Sequence, residues 1–159
     1  MRDSRRRFIC QQGFSNPDSR LYDALMFQPR IVGGLTALGT LFQAPWSFLA
    51  LSAALWWSAF VPTRNPFDAV YSAVTPDPRG RVPLGRAPAP RRFAVGMAAA
   101  LTLAIGVALI LGASRVAWSC EALLAVAVAT VVFGRFCAGS YLYYVLRRVI
   151  AGRRESSRC

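Results

Sequence analysis

The stretch from Trp118 to Arg148 limits the possible folds of this chain more than any other. Its first nineteen residues, 118–136, hold only two charged side chains, Glu121 and Arg135, in an otherwise apolar run. A helix of that length rises about 28 Å at 1.5 Å per residue, which nearly matches a hydrocarbon core of about 30 Å. The stretch therefore predicts a membrane-spanning helix.

Aromatic side chains cluster where the apolar segments end. After residue 136 come a Gly-Ser step, three tyrosines and the pair Arg147 and Arg148, the order typical of a helix that leaves lipid through the headgroups. The four tryptophans also fall close to predicted helix ends. We therefore expect interface anchors at Trp46, Trp56, Trp57, Trp118, Tyr141, Tyr143 and Tyr144.

Three further apolar segments have the composition of spanning helices, although the first two are at the lower limit of length for crossing a bilayer. Tight breaks at 43–45 and at Ser114-Arg115 make each pair of helices antiparallel neighbours. The predicted spans are 29–43, 45–61, 93–113 and 118–136. The sequence thus predicts an all-α membrane protein with four transmembrane helices in two antiparallel hairpins, together with short amphipathic surface helices.

Shorter segments surround the hairpins. Asn16 and Pro17 are suited to begin a helix that either lies on the membrane surface or extends the first span, and Asn65 and Pro66 begin a second amphipathic segment. The predicted regions are a basic N-terminal arm (1–15), an amphipathic helix with the first hairpin (16–61), a surface helix with a proline- and arginine-rich loop (62–91), the second hairpin (92–148) and a basic tail (149–159).

Charge is carried almost entirely by arginine. The chain has nineteen arginines and no lysine or histidine, with a formal charge of +12. Seventeen arginines fall in 1–30, 62–92 and 147–159, so the positive-inside rule places both termini in the cytoplasm of a bacterial inner membrane. Because these arginines flank apolar segments, we expect attraction to the anionic headgroups of the lipid bilayer and no nucleic acid partner.

The missing histidine removes the commonest general base and the usual axial ligand of haem. The cysteines are scattered without metal-binding spacing, at Cys10, Cys120, Cys137 and Cys159. We therefore expect no metal site, no cofactor and no enzymatic activity.

Small residues recur every four positions along the third predicted span, and this spacing favours close approach of two helix backbones. The members are Gly96, Ala100, Ala104, Ala108 and Gly112. We expect this ridge to pack against a helix of the same chain or of a neighbouring subunit. Ala98 is expected to face lipid instead.

Three residues are candidates for a functional role. Arg135 is expected near the headgroups as an anchor, as the partner of an acid such as Asp68, or as a group that meets a substrate. Glu121 is expected at the opposite, wet end of the same helix. Cys137 stands three residues before Ser140, where it is either a packing residue or a reactive thiol whose pKa Arg135 could lower.

Several segments resemble the bacterial membrane family called domain of unknown function 4395. They are QQGF from Gln11, FQPR from Phe27, NPFDA from Asn65, PRRFAVGM from Pro90, EALL from Glu121 and FGRFCAGSYLYYVLRR from Phe133. The resemblance implies a compact four-helix protein and marks the Gly-Arg-Phe-Cys segment as its signature. Some relatives carry a second cysteine where this chain has Ser140, so the resemblance gives no support to dithiol chemistry.

These observations favour a non-catalytic scaffold or accessory subunit that packs against other membrane protein subunits and anionic lipid. One alternative is a small oligomeric transporter or lipid-handling protein that uses Arg135. A second alternative is a membrane thiol-redox protein that uses Cys137.

Overall fold

The computed structural model describes residues 2–14, 19–61, 63, 65–74 and 87–150. All regular structure within these ranges is helical, which confirms the predicted all-α class. The helices are α1 (Arg2–Gln11), α2 (Ser19–Phe42), α3 (Pro45–Phe60), α4 (Pro66–Val74), α5 (Ala89–Ile110), α6 (Ser114–Val132) and α7 (Ala138–Ile150). Residues 75–86 of the predicted loop, residues 151–159 of the predicted tail and the predicted helix start at Asn16 lie outside the described residues.

Helix α5 is the centre of the bundle. It packs against α3, α6 and α7, while α2 packs against α6 and α3. The α3–α5 pair is antiparallel, because Ser52 Oγ donates to the Ala99 carbonyl (2.9 Å) and Arg92 Nε donates to the Ala59 carbonyl (2.8 Å). The two tight turns, 43–44 and 111–113, therefore lie at one end of the bundle, which we call the hairpin end.

Two of the described helices are long and apolar enough to cross a membrane, α5 and α6. Helix α3 has 16 residues and rises only about 24 Å, which is short of a typical hydrocarbon core. Helix α2 has 24 residues, but polar residues and Pro29 occupy its first half. Four crossing helices are therefore not confirmed, and the second predicted hairpin is the part whose length and hydropathy support crossing.

The exposed surface of the bundle is strongly apolar. Leu41, Phe42, Trp46 and Phe60 are all exposed, as are many aliphatic side chains of α5 and α6. So many exposed large apolar side chains are unusual for a protein surrounded by water and common for one that meets lipid or another protein. Trp57 and Trp118 are exposed too, whereas Trp56 is half-buried and stacks on Phe60; their role as interface anchors stays a prediction.

The N-terminal region differs from the predicted basic arm. Residues 2–11 form α1, and Phe8 and Ile9 are each only 1% exposed. They pack against Tyr22, Leu25 and Met26 on α2. The prediction gave the arginines of this segment more weight than its apolar pair, which docks the helix onto the bundle.

Helix α2 runs without interruption from Ser19 to Phe42, so the segment before Pro29 extends the first predicted span. The alternative of a separate surface helix at 16–28 is wrong. Pro29 removes one backbone hydrogen bond from α2, and a proline in a helix interior often bends the helix. The part of α2 before Pro29 is covered by α1, which packs against it. Its apolar stripe, which includes Tyr22 and Leu25, faces protein.

Helix α4 confirms the predicted start at Asn65 and Pro66. Asn65 Oδ1 accepts a hydrogen bond from the Phe67 backbone N–H (3.1 Å), the expected geometry of a helix N-cap. The same oxygen accepts from Ser58 Oγ of α3 (3.0 Å). Phe67 is buried while Val70 and Val74 are exposed, so α4 presents one face to the bundle and another outward.

Candidate functional site

Most of the motif segments meet at the end of the bundle opposite the tight turns, which we call the motif end. Helices α2 and α5 begin here, α3 and α6 end here, and α1, α4 and the start of α7 pack around them. The segments are QQGF, FQPR, NPFDA, PRRFAVGM and the first part of FGRFCAGSY. The remaining segment, EALL, lies in α6 towards the hairpin end.

Arg91 is the most deeply buried charge at the motif end. It is 4% exposed, and its Nη2 donates to Gln28 Oε1 (3.0 Å) and to Asp68 Oδ1 (3.3 Å). These bonds join the start of α5 to α2 and α4. Asp68 is therefore a partner of Arg91, and the pairing of Arg135 with Asp68 or a similar acid stays a prediction. Sequence reasoning gave Arg91 no role, although FQPR, NPFDA and PRRF each contribute one member of the network.

A second polar contact links the first helix to the last. Gln11 Nε2 donates to the Cys137 carbonyl (3.2 Å), and the Cys137 backbone N–H donates to Gln11 Oε1 (3.1 Å). We call this pair of bonds the Gln11–Cys137 clasp. Cys137 directly precedes α7, and its carbonyl also accepts from the Tyr141 N–H (3.0 Å). The clasp therefore fixes the position at which α7 begins.

The Cys137 side chain is 7% exposed and belongs to the cluster of Phe8, Ile9, Tyr22, Leu25 and Met26. Apolar burial shields a thiol from solvent and from reagents. This environment favours the interpretation of Cys137 as a packing residue. Ser140, at the CxxS position, is also fully buried, and its Oγ donates to the Pro90 carbonyl (3.4 Å).

Arg135 does not lie in a spanning helix. Helix α6 ends at Val132, and Arg135 adopts a φ of 52° in the turn that follows. Its N–H donates to the Val131 carbonyl (3.1 Å), which is the single bond of an αL C-cap motif, and the Phe136 N–H donates to the Thr130 carbonyl (3.1 Å). Glycine is the usual residue at such a position, because a side chain there is strained by about 1–2 kcal/mol.

The Arg135 side chain extends from this strained backbone towards the ring of Tyr22. Its guanidinium carbon lies 5.9 Å from the centroid of the Tyr22 ring, and that of Arg5 lies 4.9 Å from the same centroid. Tyr22 also makes an edge contact with Phe8, at 5.9 Å between centroids. A positive side chain is favourable near the carboxyl end of α6, where the helix dipole is negative. The arrangement collects positive charge at the motif end.

Glu121 is not in a wet environment, contrary to prediction. It is 3% exposed, and its Oε2 accepts a long hydrogen bond from Gln43 Nε2 (3.5 Å). Its Oε1 has no hydrogen-bond partner among the described residues. Helix α2 covers this face of α6, and hydropathy along a single segment does not reveal which face another helix covers.

The small-residue ridge only partly matches the packing within the chain. Ala108 is buried, but Ala100 and Ala104 are exposed, and Gly112 lies beyond α5 with a φ of 69°. The face of α5 that packs against its neighbours contains Ala99, Thr102, Ile105, Gly106 and Ala108. The expectation that Ala98 faces lipid is also wrong, because Ala98 packs against two buried clusters.

The closest helix contacts occur at other small residues. A Cβ added to Gly106 would lie 2.8 Å from Leu49 Cδ2 and 3.2 Å from the Pro45 carbonyl oxygen. A Cβ added to Gly139 would lie 2.8 Å from the Ala94 Cβ. Glycine is thus required where α3 and α7 approach α5. The regular spacing of the ridge residues predicted packing on the adjacent face of α5 instead.

An apolar groove of about 430 Å³ opens on the surface between α3 and α5. It begins at Arg92 near the motif end and extends along α5 as far as Ala100. Its lining residues are Trp56, Ala59, Phe60, Ala89, Arg92, Phe93, Gly96, Met97 and Ala100. Two members of the predicted ridge line this groove, the half-buried Gly96 and the exposed Ala100.

The family described as Domain of unknown function (DUF4395) matches residues 24–148. The chain belongs to this family. The match confirms the resemblance and contains the Arg91 network, the groove and the residues around Arg135, whereas QQGF lies before it. No curated protein and no solved structure matches the chain. The described residues also contain no grouping of histidine, cysteine and acidic side chains that could hold a metal ion.

Proposed function

We propose that this DUF4395 protein is a non-catalytic accessory subunit of a bacterial inner-membrane assembly. The proposal rests on the hydrogen bonds that the polar residues of the motif segments make at the motif end. Arg91 bonds to Gln28 and Asp68, Gln11 bonds to the Cys137 backbone, and Ser140 bonds to Pro90. Each contact joins two or more helices.

Catalytic sites usually direct titratable side chains into a cleft where a substrate can reach them. At the motif end, Arg91 and Asp68 instead bond to each other, and Arg91 bonds also to Gln28, although Arg91 Nη1 has no hydrogen-bond partner among the described residues. The result is a fixed arrangement of α1, α2, α4, α5 and α7. A rigid layer of this kind supports a role in holding a partner in place.

The exposed part of α5 beyond the groove supports a protein partner within the membrane. Ala104 is exposed, and the neighbouring Leu103 and Val107 are each 42% exposed. A small residue between larger apolar ones lets a second helix approach closely, which is the main source of helix association in lipid. We propose that a helix of the partner packs here.

The proposed topology is multi-pass, with the motif end and both termini in the cytoplasm. The arginine asymmetry supports this orientation. A variant that retains Cys159 as its single cysteine tests it. Labelling of Cys159 by an impermeant thiol reagent in sealed cells would contradict the proposal.

Copurification tests the proposed function. We expect mild detergent extraction at native expression to recover the chain with one stable membrane partner. Ala104→Leu should lower recovery of the complex about fivefold or more, since a bulky side chain separating two helices costs on the order of 1 kcal/mol. The level of the folded chain itself should stay unchanged, because Ala104 makes no core contact.

The matched control is Ala53→Leu, an equally exposed position on α3. Full recovery of the complex with Ala104→Leu, or an equal loss with Ala53→Leu, would contradict docking at this face. Recovery of the chain alone under all mild conditions would contradict the accessory role.

A further inference from the structure

We propose that the groove between α3 and α5 binds one acyl chain of an anionic phospholipid, with the lipid phosphate at Arg92. The inference rests on the part of the proposed function that places this chain in a membrane. It assigns a discrete lipid site, which is separate from the face of α5 around Ala104.

The lining of the groove suits a hydrocarbon chain. Trp56 and Phe60 stack with their ring centroids 5.2 Å apart on the α3 side, and Phe93 and Met97 contribute the α5 side. Gly96 and Ala100 keep the space between them open. Among the described residues, a Cβ added to Gly96 would find only Trp56 within 4 Å, at 3.8 Å.

The length of the groove matches one leaflet. Arg92 and Ala100 are eight residues apart on α5, or about 12 Å along the helix axis. Half of a hydrocarbon core is about 15 Å. The groove therefore covers most of one leaflet from its headgroup side, as a single chain of a phospholipid does.

Arg92 supplies the charge that selects an anionic headgroup. Its Nε donates to the Ala59 carbonyl at 2.8 Å, which holds the guanidinium at the groove and leaves the Nη groups as further donors on that side chain. A planar guanidinium suits phosphate oxygens, with which it forms short, charge-assisted hydrogen bonds.

The neighbouring helix α7 also supports a position of Arg92 at the headgroup level of the bilayer. The Phe93 ring, which lines the groove, lies 5.8 Å from the ring of Tyr143 on α7. Helix α7 carries tyrosines on its first turns and Arg147 and Arg148 in its last turn. Tyrosine and arginine at these positions are typical of the headgroup level, so the phosphate of a lipid in the groove would lie beside Arg92.

The test measures phospholipid retained by the full chain. Protein reconstituted in vesicles of equal parts phosphatidylglycerol and phosphatidylcholine is extracted in mild detergent, and retained lipid is counted by native mass spectrometry. The wild-type chain should retain about one phosphatidylglycerol in preference to phosphatidylcholine. Arg92→Gln should reduce this retention about tenfold, as expected for loss of a charge-assisted hydrogen bond, and Ala100→Leu should reduce retention of both lipids by filling the groove.

Two matched controls separate a site from general lipid attraction. Arg30→Gln removes an exposed arginine from the same end, and Ala104→Leu adds bulk one helical turn beyond the groove. Both should retain lipid as the wild-type chain does. Equal loss in a control, or equal retention of the two lipids by the wild-type chain, would overturn the proposal.

Recovery of the protein partner, measured for the same variants by mild detergent extraction from cells at native expression, distinguishes this inference from the proposed function. A partner recovered with wild-type protein that retains no phospholipid would contradict the lipid site alone. Retained phosphatidylglycerol without any partner would contradict the accessory role alone. Loss of the partner with Ala100→Leu while phosphatidylglycerol stays bound would show that the groove holds a partner helix, which would also overturn the lipid site.

Discussion

The two ends of the bundle are held together by different kinds of contact. At the motif end, charged and amide side chains join helices that are far apart in sequence, as Arg91 does with Gln28 and Asp68. At the hairpin end, short turns and close glycine contacts dominate, and the polar contact between Gln43 and Glu121 is long, at 3.5 Å. The hairpin end thus depends mainly on backbone fit, whereas the motif end combines a close glycine contact, Gly139 against Ala94, with bonds of specific side chains.

The comparison explains where substitutions should be tolerated. A hydrogen-bonded charge in a buried network cannot be removed without leaving its partners unsatisfied. A close backbone contact tolerates any change that adds no volume. The following predictions test this difference, beginning with the largest expected effect.

Loss of Arg91 should be the most damaging single change at the motif end. Arg91→Met should lower the free energy of unfolding by about 2–4 kcal/mol, because the buried Gln28 and the half-buried Asp68 would lose their donor. Thermal unfolding of the detergent-solubilised chain measures the effect. Arg30→Met, an exposed position, is the control. A shift no larger than that of the control would show that the Arg91 network does not hold the motif end together.

At the hairpin end, added volume should matter more than lost polarity. Gly106→Ala should destabilise the chain by about 1–3 kcal/mol, since the new Cβ would crowd Leu49 and the Pro45 carbonyl. Gly34→Ala is the matched control, because a Cβ there meets nothing within 4 Å and alanine favours the helix. If both variants unfold at the same temperature, close packing does not determine stability at this end.

The Gln11–Cys137 clasp should have a smaller effect on stability and a clear effect on accessibility. Gln11→Ala removes two hydrogen bonds and should cost about 1–2 kcal/mol. In a background with Cys137 as the single cysteine, its reaction with a maleimide should accelerate as α1 loosens. An unchanged labelling rate, alongside a normal rate in the unfolded chain, would mean that the clasp does not hold α1 in place.

Arg135→Gly should change stability least, by less than about 1 kcal/mol. Relief of strain at the positive φ is offset by the lost contact with Tyr22 and by the greater freedom of glycine in the unfolded chain. The informative measurement is recovery of the partner complex, compared with that of Arg135→Asn, which also tolerates the backbone conformation. Normal recovery with both variants would remove Arg135 from any functional surface.

The sequence predicted local structure well where the signals are local. The start of α4 depends on Asn65 and its neighbours two residues away, and the start of α3 on Pro45. Arg91 and Asp68 are separated by 23 residues, and Gln11 and Cys137 by 126, so no local pattern connects them. The burial of Glu121 and the docking of Phe8 depend in the same way on which helix covers which face.

Hydropathy has a related limit. It finds apolar segments such as α5 and α6, whose length and composition are properties of the segment itself. It does not distinguish a helix that meets lipid from one covered by another part of the chain, as the first half of α2 is covered by α1. For the same reason the spacing of Gly96, Ala100 and Ala104 identified a small-residue line but not the groove that two of these residues form with α3.

The Gln11–Cys137 clasp also sets an order of events during synthesis. The backbone that Gln11 binds is made 126 residues after Gln11 itself, which is about 6 to 25 s later at ordinary rates of translation. Until then Phe8 and Ile9 lack part of the cluster that buries them, because Cys137 is a member of it. Helix α1 therefore leaves the ribosome before α7 but reaches its final position only after residue 137 is made, and its apolar face needs protection in the interval.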